Sequence, residues 1–208
     1  VITWTPYFPN KTSEIVITFD ATQGNAVLTD ITPIYAHIGY NNWQGAPTWK
    51  DNAEKYKLTD IGNNKHTLTI LPDSFFTYTN TTVVTQLAMV FRNATGTIVG
   101  KNADESDIFL PLFADGFHMT RYTPDVTATA HFIDSLTTVL PILVRVSEES
   151  TISLWLNNQK VTEVLSDSIA YNLSSFAEGT NWIKIIADNA SEILMDSFYV
   201  IKPTAPAV

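Results

Sequence analysis

Along most of the chain apolar and polar residues alternate in short runs separated by Asn, Asp, Gly and Pro. This is the period of half-buried antiparallel strands rather than of helices. Over residues 14–20, Ile15, Ile17 and Phe19 fall on one face, and over 66–70 His66, Leu68 and Ile70 do the same. In 34–39, Ile34, Ala36 and Ile38 point to a core while Tyr35 and His37 point away from it. Residues 83–92 are apolar on both faces, with Val83, Leu87, Met89 and Phe91 set against Val84, Ala88 and Val90, which predicts a central strand covered on each side.

A break between Pro111 and Pro124 precedes a second series of runs at 126–132, 140–146, 151–156, 160–165, 169–173, 182–187 and 197–201. Seven short strands in fewer than about 100 residues match the count of an immunoglobulin-like sandwich. The pattern therefore predicts an all-β chain of two β-sandwich domains in tandem, at 1–112 and 113–203, the second immunoglobulin-like. Residues 204–208, Pro-rich and poor in core residues, read as the start of a linker to a domain beyond Val208.

Composition narrows the function classes. The 208 residues are 45% hydrophobic and 12% aromatic, enough for packed cores. The formal charge of -9, with 12 Lys and Arg that do not cluster, argues against nucleic acid and anionic membranes as partners. No apolar run approaches the roughly 18 residues of a membrane span, so no membrane insertion is expected. Val1 opens without a leader, which suggests an export signal already removed. The absence of Cys excludes disulfides and thiol catalysis, and in an exported protein it fits a bacterial source and a secreted or cell-surface location.

Motifs for catalysis are missing: there is no G-x-S-x-G elbow, zinc helix, phosphate loop or dinucleotide glycine pattern. The opposed carboxylates of a glycosidase cannot be paired from sequence, so the 21 acids neither establish nor exclude hydrolysis. The four His, at 37, 66, 118 and 131, lack metal-ligand spacing. No cofactor is expected; a structural calcium at Asp104, Glu105 and Asp107 is the one metal reading, ranked below a solvated acidic turn.

The informative stretch is 34–50. After the strand, Tyr40, Trp43 and Trp49 fall in a loop rich in Asn, Gln and Gly, where burying three large rings is difficult. A sugar ring suits such rings, since its C–H face packs on an aromatic plane while its hydroxyls need amide, imidazole or ammonium partners. Tyr35, His37, Tyr40, Asn42, Trp43, Trp49 and Lys50 are the candidate carbohydrate contacts. The competing reading has Trp43 and Trp49 plugging one end of the sandwich. Trp4, Trp155 and Trp182, beside strand segments without such a loop, are assigned to packing.

The ordered segments Val16-Ile17-Thr18-Phe19-Asp20-Ala21-Thr22-Gln23-Gly24-Asn25, Ile34-Tyr35-Ala36-His37-Ile38-Gly39, Phe91-Arg92-Asn93-Ala94-Thr95-Gly96 and Asp107-Ile108-Phe109 resemble the N-terminal module of bacterial α-amylase-type proteins. That module is similar to the starch-binding modules of carbohydrate-binding families 25 and 26, over roughly residues 1–110. The second half resembles, less specifically, the immunoglobulin-like domain between such a module and a glycoside hydrolase family 13 barrel. The resemblance implies an α-1,4-glucan ligand, His37 in the binding strand, Trp43 and Trp49 as an angled platform, and a bordering loop at 93–102. It also implies a catalytic domain C-terminal to this chain. The loop between His37 and Trp49 is shorter than the family's, and Tyr40 stands where a small aliphatic residue is expected. A cell-surface glycan-binding protein without a catalytic domain, and a purely structural or adhesive pair of sandwiches, remain the alternatives.

Overall fold

The computed structural model describes residues 1–79, 81–125, 130–133 and 139–203. The alternating segments form strands, and the chain divides into two compact units, Val1–Asp115 and Gly116–Val208. Architecture is all-β, as the periodicity predicts, with helix among the described residues confined to short turns at Glu54–Tyr56 and Pro72–Phe75.

The first unit carries β1 (Ile2–Thr5), β2 (Ile15–Asp20), β3 (Ile34–Tyr40), β4 (Thr59–Gly62), β5 (Lys65–Ile70), β6 (Gln86–Asn93), β7 (Val99–Gly100) and β8 (Ile108–Pro111). They make two antiparallel sheets, one in the order β1-β2-β5-β4 and one in the order β3-β6-β7, with β8 also paired to β6. Between them lie Ile15, Ile17 and Phe19 of β2, Leu68 and Ile70 of β5, Ile34, Ala36 and Ile38 of β3, and Leu87, Met89 and Phe91 of β6. Phe19 stacks on Phe91 across the interface, centroids 4.1 Å apart. Each large side chain so buried contributes about 1.5–3 kcal/mol.

Strand β6 is shorter than its apolar run. Val83 lies outside it and is 75% exposed. The Asn41 side chain claims the backbone there: its Nδ2 donates to the Val83 carbonyl, and its Oδ1 accepts from the Thr85 N–H. From Leu87 to Arg92, however, β6 is buried on both faces. One face meets the core. The other, with Ala88, Val90 and Arg92, lies beneath the segment that follows β3.

The second unit carries β9 (Met119–Thr123), β10 (Ala130–Phe132), β11 (Leu140–Leu156), β12 (Gln159–Leu173), β13 (Gly179–Asp188) and β14 (Ile193–Lys202). Their order is β10-β14-β13-β11-β12, with β9 on the first part of β11. The expected runs 140–146 and 151–156 are one strand, and so are 160–165 and 169–173; this corrects the count of seven. Register jumps from Arg145↔Ser168 to Ser150↔Ser166, so the polar stretch between the two expected runs is a bulge within a continuous hairpin. The hairpin closes on Asn157 and Asn158 at φ 49° and 66°, as a tight two-residue turn requires. Ile142, Val144, Ile152, Leu154, Ile183, Ile185, Phe198 and Val200 are the centre of this core. Of the expected strand 126–132, residues 126–129 lie outside the described residues, as does the expected linker 204–208.

The tryptophans assigned to packing differ in kind. Trp4 packs against the first core. Trp155 and Trp182 are half-buried on the outward face of the second unit's sheet. There the Lys160 and Lys184 ammonium groups sit 5.5 and 5.0 Å from the Trp155 ring, and Trp182 meets Tyr199 edge-on at 4.4 Å.

Candidate functional site

The outer face of the β3–β6 sheet is built in rows. Antiparallel register sets Tyr35 opposite Arg92, His37 opposite Val90 and Gly39 opposite Ala88, while Val99 of β7 flanks Arg92. Residues directly opposite share a face, so Tyr35, His37, Arg92, Val90 and Val99 form one surface. The segment 41–57 folds back across it.

That fold-back begins in a tight closure after β3. The Tyr40 N–H donates to the Gln44 carbonyl at 2.8 Å, and the Gln44 N–H returns a bond to the Tyr40 carbonyl at 2.9 Å. Within the turn Asn41 and Trp43 take φ 49° and 62°. The left-handed region is natural for Asn and unfavourable for a bulky side chain, so Trp43 is held there by its contacts. Its indole stacks on His37 (5.4 Å, 29°) and its Nε1 donates to Asp107 Oδ2 at 3.2 Å. Gly39 makes the approach feasible, because a Cβ on it would lie 2.9 Å from the Trp43 carbonyl carbon and the Gln44 oxygen.

Trp49 also meets the His37 ring, edge-on at 4.9 Å and 69°, and is 43% exposed. The two indoles make angles of 29° and 69° with the same imidazole, so their planes differ by at least the 40° between those values. Gly96 borders Trp49 closely: a Cβ there would lie 2.8 Å from the indole Nε1. The turn at 93–96 thus abuts the site.

Beneath them lies Arg92, with no exposed surface. Its Nη1 donates to Asn52 Oδ1 at 2.8 Å and to the Asn93 carbonyl at 3.2 Å, and its Nη2 donates to the Asp51 carbonyl at 2.5 Å. The guanidinium is 5.3 Å from the Tyr35 ring centre and 5.8 Å from that of Trp49. Burial, and secondarily the Arg92 charge, hold the His37 imidazole below the ordinary histidine range, which keeps it neutral at pH 7.

His37, Trp43, Trp49, Val90, Val99, Lys101 and Asp107 enclose an open cleft of about 360 Å³. Lys101 Nζ is 3.1 Å from Asp107 Oδ1, so this carboxylate engages both the indole and the ammonium. The cleft therefore pairs inclined aromatic planes with a polar rim, the combination that takes a hydroxylated ring.

Of the sequence candidates, His37, Trp43 and Trp49 come together, and Lys50 follows Trp49 at the edge, its Cγ beside Gly96. Asn42 is exposed in the turn but does not line the cleft. Two placements are corrected. Tyr40 closes β3 rather than entering the loop and is buried, packed edge-on against Phe76 and Tyr78. Tyr35 faces outward as expected but is 9% exposed, because Lys57 bridges to it and the 51–57 segment covers it. Lys101, Asp107, Val90 and Val99 were not among the candidates. They arrive through β6–β7 and β6–β8 pairing, although Asp107 stood in a recognised motif. The acidic turn is otherwise engaged: Asp104 Oδ1 accepts from Ser106, and Glu105 Oε2 accepts from Asn25. Among the described residues no three His, Asp or Glu side chains are grouped to hold a metal, and no helix is long and apolar enough to cross a membrane.

A family model described as Domain of unknown function (DUF8578) matches residues 3–99, which takes in β2 to β6, most of β1 and the aromatic loop, and stops short of Lys101 and Asp107. No curated protein matches. Among solved structures, the chain is similar to fibronectin(III)-like modules of Clostridium thermocellum CbhA, at 12% identity and TM-score 0.34 over 98% of this chain and 94% of that one. It is similar to titin A168169, at 12% identity and TM-score 0.34 over 95% and 93%. A third match is the Bacteroides ovatus mixed-linkage glucan utilization locus SGBP-B in complex with a mixed-linkage heptasaccharide, at 13% identity and TM-score 0.34 over 95% and 43%. Overlaps this loose carry no argument about function, and the matching family description names no ligand.

Proposed function

We propose that this chain binds carbohydrate without catalysing its conversion, and that its ligand is an α-1,4-glucan lying in the His37–Trp43–Trp49 cleft. The observation that carries the reading is the inclination of at least 40° between the two indoles that both meet His37. Successive glucose units of an α-1,4-glucan turn along a helix, so two neighbouring units present C–H faces to two inclined planes. A flat β-1,4-glucan ribbon presents its faces to coplanar rings instead. Asp107 and Lys101 at the rim supply an acceptor and a donor for a vicinal diol. The resemblance to starch-binding modules favours the same ligand. On this reading the chain is the anchoring part of a secreted or cell-surface bacterial protein, and an α-amylase-type hydrolase domain would gain effective substrate concentration from it.

The test is a titration with maltoheptaose, β-cyclodextrin and cellohexaose, followed by tryptophan fluorescence and calorimetry, with Trp43→Ala, Trp49→Ala and the double variant alongside. Affinity for the α-glucans should be micromolar to millimolar, about 4–8 kcal/mol. Each single change should weaken it about tenfold or more while the fold is retained. Absence of saturable binding, or equal affinity for cellohexaose, would remove the α-glucan reading.

One observation favours a purely structural role: the loop covers Ala88 and Arg92 on the outer face of β6. That reading expects Trp49→Ala to lower the melting temperature and no glucan to bind the parent.

A further inference from the structure

A sheet in a β-sandwich ordinarily turns apolar residues to the core and polar ones to water. Where β12, β11, β13 and β14 lie side by side in the second unit, the inward half of this rule is kept. Ile183, Ile185 and Ala187 of β13 are buried with Ile152, Leu154, Phe198 and Val200. The outward half is not. Leu165 of β12 and Ile193 and Met195 of β14 are 65–66% exposed, Tyr199 is exposed as well, and Ile186, Trp155 and Trp182 are half-buried beside them.

Register assembles these residues into rows across the strands. The middle row runs Glu163, Ser153, Ile186, Met195 from β12 to β14. On one side of it lies the row Leu165, Thr151, Asp188, Ile193, and on the other the row Lys160, Trp155, Lys184, Ser197. Trp182 and Tyr199 are paired beyond the lysine row. Apolar side chains gathered in this way, rather than scattered singly, mark an interaction surface. Its centre is Ile186 and Met195, with Asp188 one row to one side and Lys184 one row to the other.

That charge placement identifies the partner. In a closed dimer two copies of the face meet across a two-fold axis lying in the plane between them. With the axis along the strands each row would face itself, setting Lys184 against Lys184 and Asp188 against Asp188, which is repulsive. With the axis across the strands, along the middle row, the order of rows is reversed. Lys184 of each copy then meets Asp188 of the other, while Ile186 and Met195 meet their own counterparts. Glu163 also faces its counterpart, but it lies on the edge strand β12 and is paired with Lys160 at 2.6 Å.

We propose that this face is the interface of a symmetric dimer, its occupant a second copy of this chain with strands reversed about the Ile186–Met195 row. Lys184 and Asp188 set the alignment, and Ile186, Ile193, Met195 and Trp155 exclude water.

The experiment is sedimentation velocity of the full chain over a range of concentrations. The parent should show a monomer–dimer equilibrium with micromolar Kd. Met195→Lys alters an exposed side chain without touching the core and should weaken association at least about tenfold. Lys184→Asp and Asp188→Lys should each be monomeric alone, because like charges then face one another, whereas an equimolar mixture of the two should form a heterodimer by restoring both opposite-charge pairs. Asp188 Oδ1 also accepts from the Ala190 N–H, so melting temperatures are taken for both variants before mixing. The Trp43→Ala, Trp49→Ala double variant should dimerise as the parent does. A parent that stays monomeric into the millimolar range, association untouched by Met195→Lys, a mixture of folded variants no more associated than its components, or association lost in the double-Trp variant would each overturn the proposal.

Discussion

Replacing Gly39 by Ala tests whether the platform depends on close passage of the loop over β3. An added Cβ would stand 2.9 Å from both the Gln44 carbonyl oxygen and the Trp43 carbonyl carbon, and 3.1 Å from the Trp43 Cα. Ordinary contact begins near 3.4 Å, so the turn must move by about 0.5 Å, and because the obstacles are backbone no rotamer change relieves them. The Trp43 Nε1 bond to Asp107 is 3.2 Å long, already at the outer end of good geometry. A half-ångström displacement away from Asp107 breaks it. Overpacking of this kind costs about 1–3 kcal/mol. For a unit of this size that lowers the melting temperature by on the order of 4–20 °C. Gly96→Ala is the control, since at φ +68° its Cβ meets side-chain atoms, the Trp49 Nε1 and the Lys50 Cγ, that can yield. Its cost is mainly the backbone one of about 1 kcal/mol. Thermal unfolding by circular dichroism, with a maltoheptaose titration, separates the two: Gly39→Ala should lose more stability, and both should lose affinity. A Gly39→Ala protein that melts within about 1–2 °C of the parent, with unchanged tryptophan emission, would refute the close approach.

Three further outcomes are expected. Asp107→Ala removes a half-exposed ion pair and should cost under about 1 kcal/mol in urea unfolding, while glucan affinity measured by calorimetry falls about three- to tenfold because Trp43 loses its anchor. Arg92→Lys keeps the charge but not the planar fork reaching the Asp51 and Asn93 carbonyls and Asn52, and should cost roughly 2–4 kcal/mol by the same unfolding assay. His37 and His66 both titrate below the ordinary 6.5 in the fold, so the unfolded chain binds protons first as pH falls. Their stabilisation is complete above about pH 6.5 and declines below it. Urea midpoints at pH 7.5 and 5.5 should therefore differ less in His37→Gln and His66→Gln than in the parent.

What the sequence made legible was local. Strands β2, β3 and β5 follow from strict alternation, and the aromatic loop stood out because three rings among Asn, Gln and Gly contradict ordinary loop chemistry. The same local view misplaced Tyr40, since only the reciprocal bonds with Gln44 extend the strand to that residue and turn its ring into the core. It missed Lys101, Asp107 and Val99, because nothing between positions 37 and 107 announces that β6 will carry β7 and β8 to the same face. Arg92 read as the charged end of an apolar run; its burial depends on the 51–52 backbone arriving from the other side of β3. In the second unit the polar residues Ser147, Glu148 and Glu149 separate two apolar runs, because a bulge interrupts alternation just as a strand end does. Only pairing across β12 distinguishes them.

The anchoring of segment 51–52 through Arg92 also bears on how fast a ligand engages. To swing outward, this part of the platform loop would have to strip two acceptors, the Asp51 carbonyl and Asn52 Oδ1, from a guanidinium with no exposed surface, so opening is costly and rare. A ligand therefore meets walls already in place, and little ordering of the protein opposes its arrival. Encounter should be a single second-order step without a saturating rate at high ligand concentration, and differences between ligands should reside almost wholly in how long each one stays.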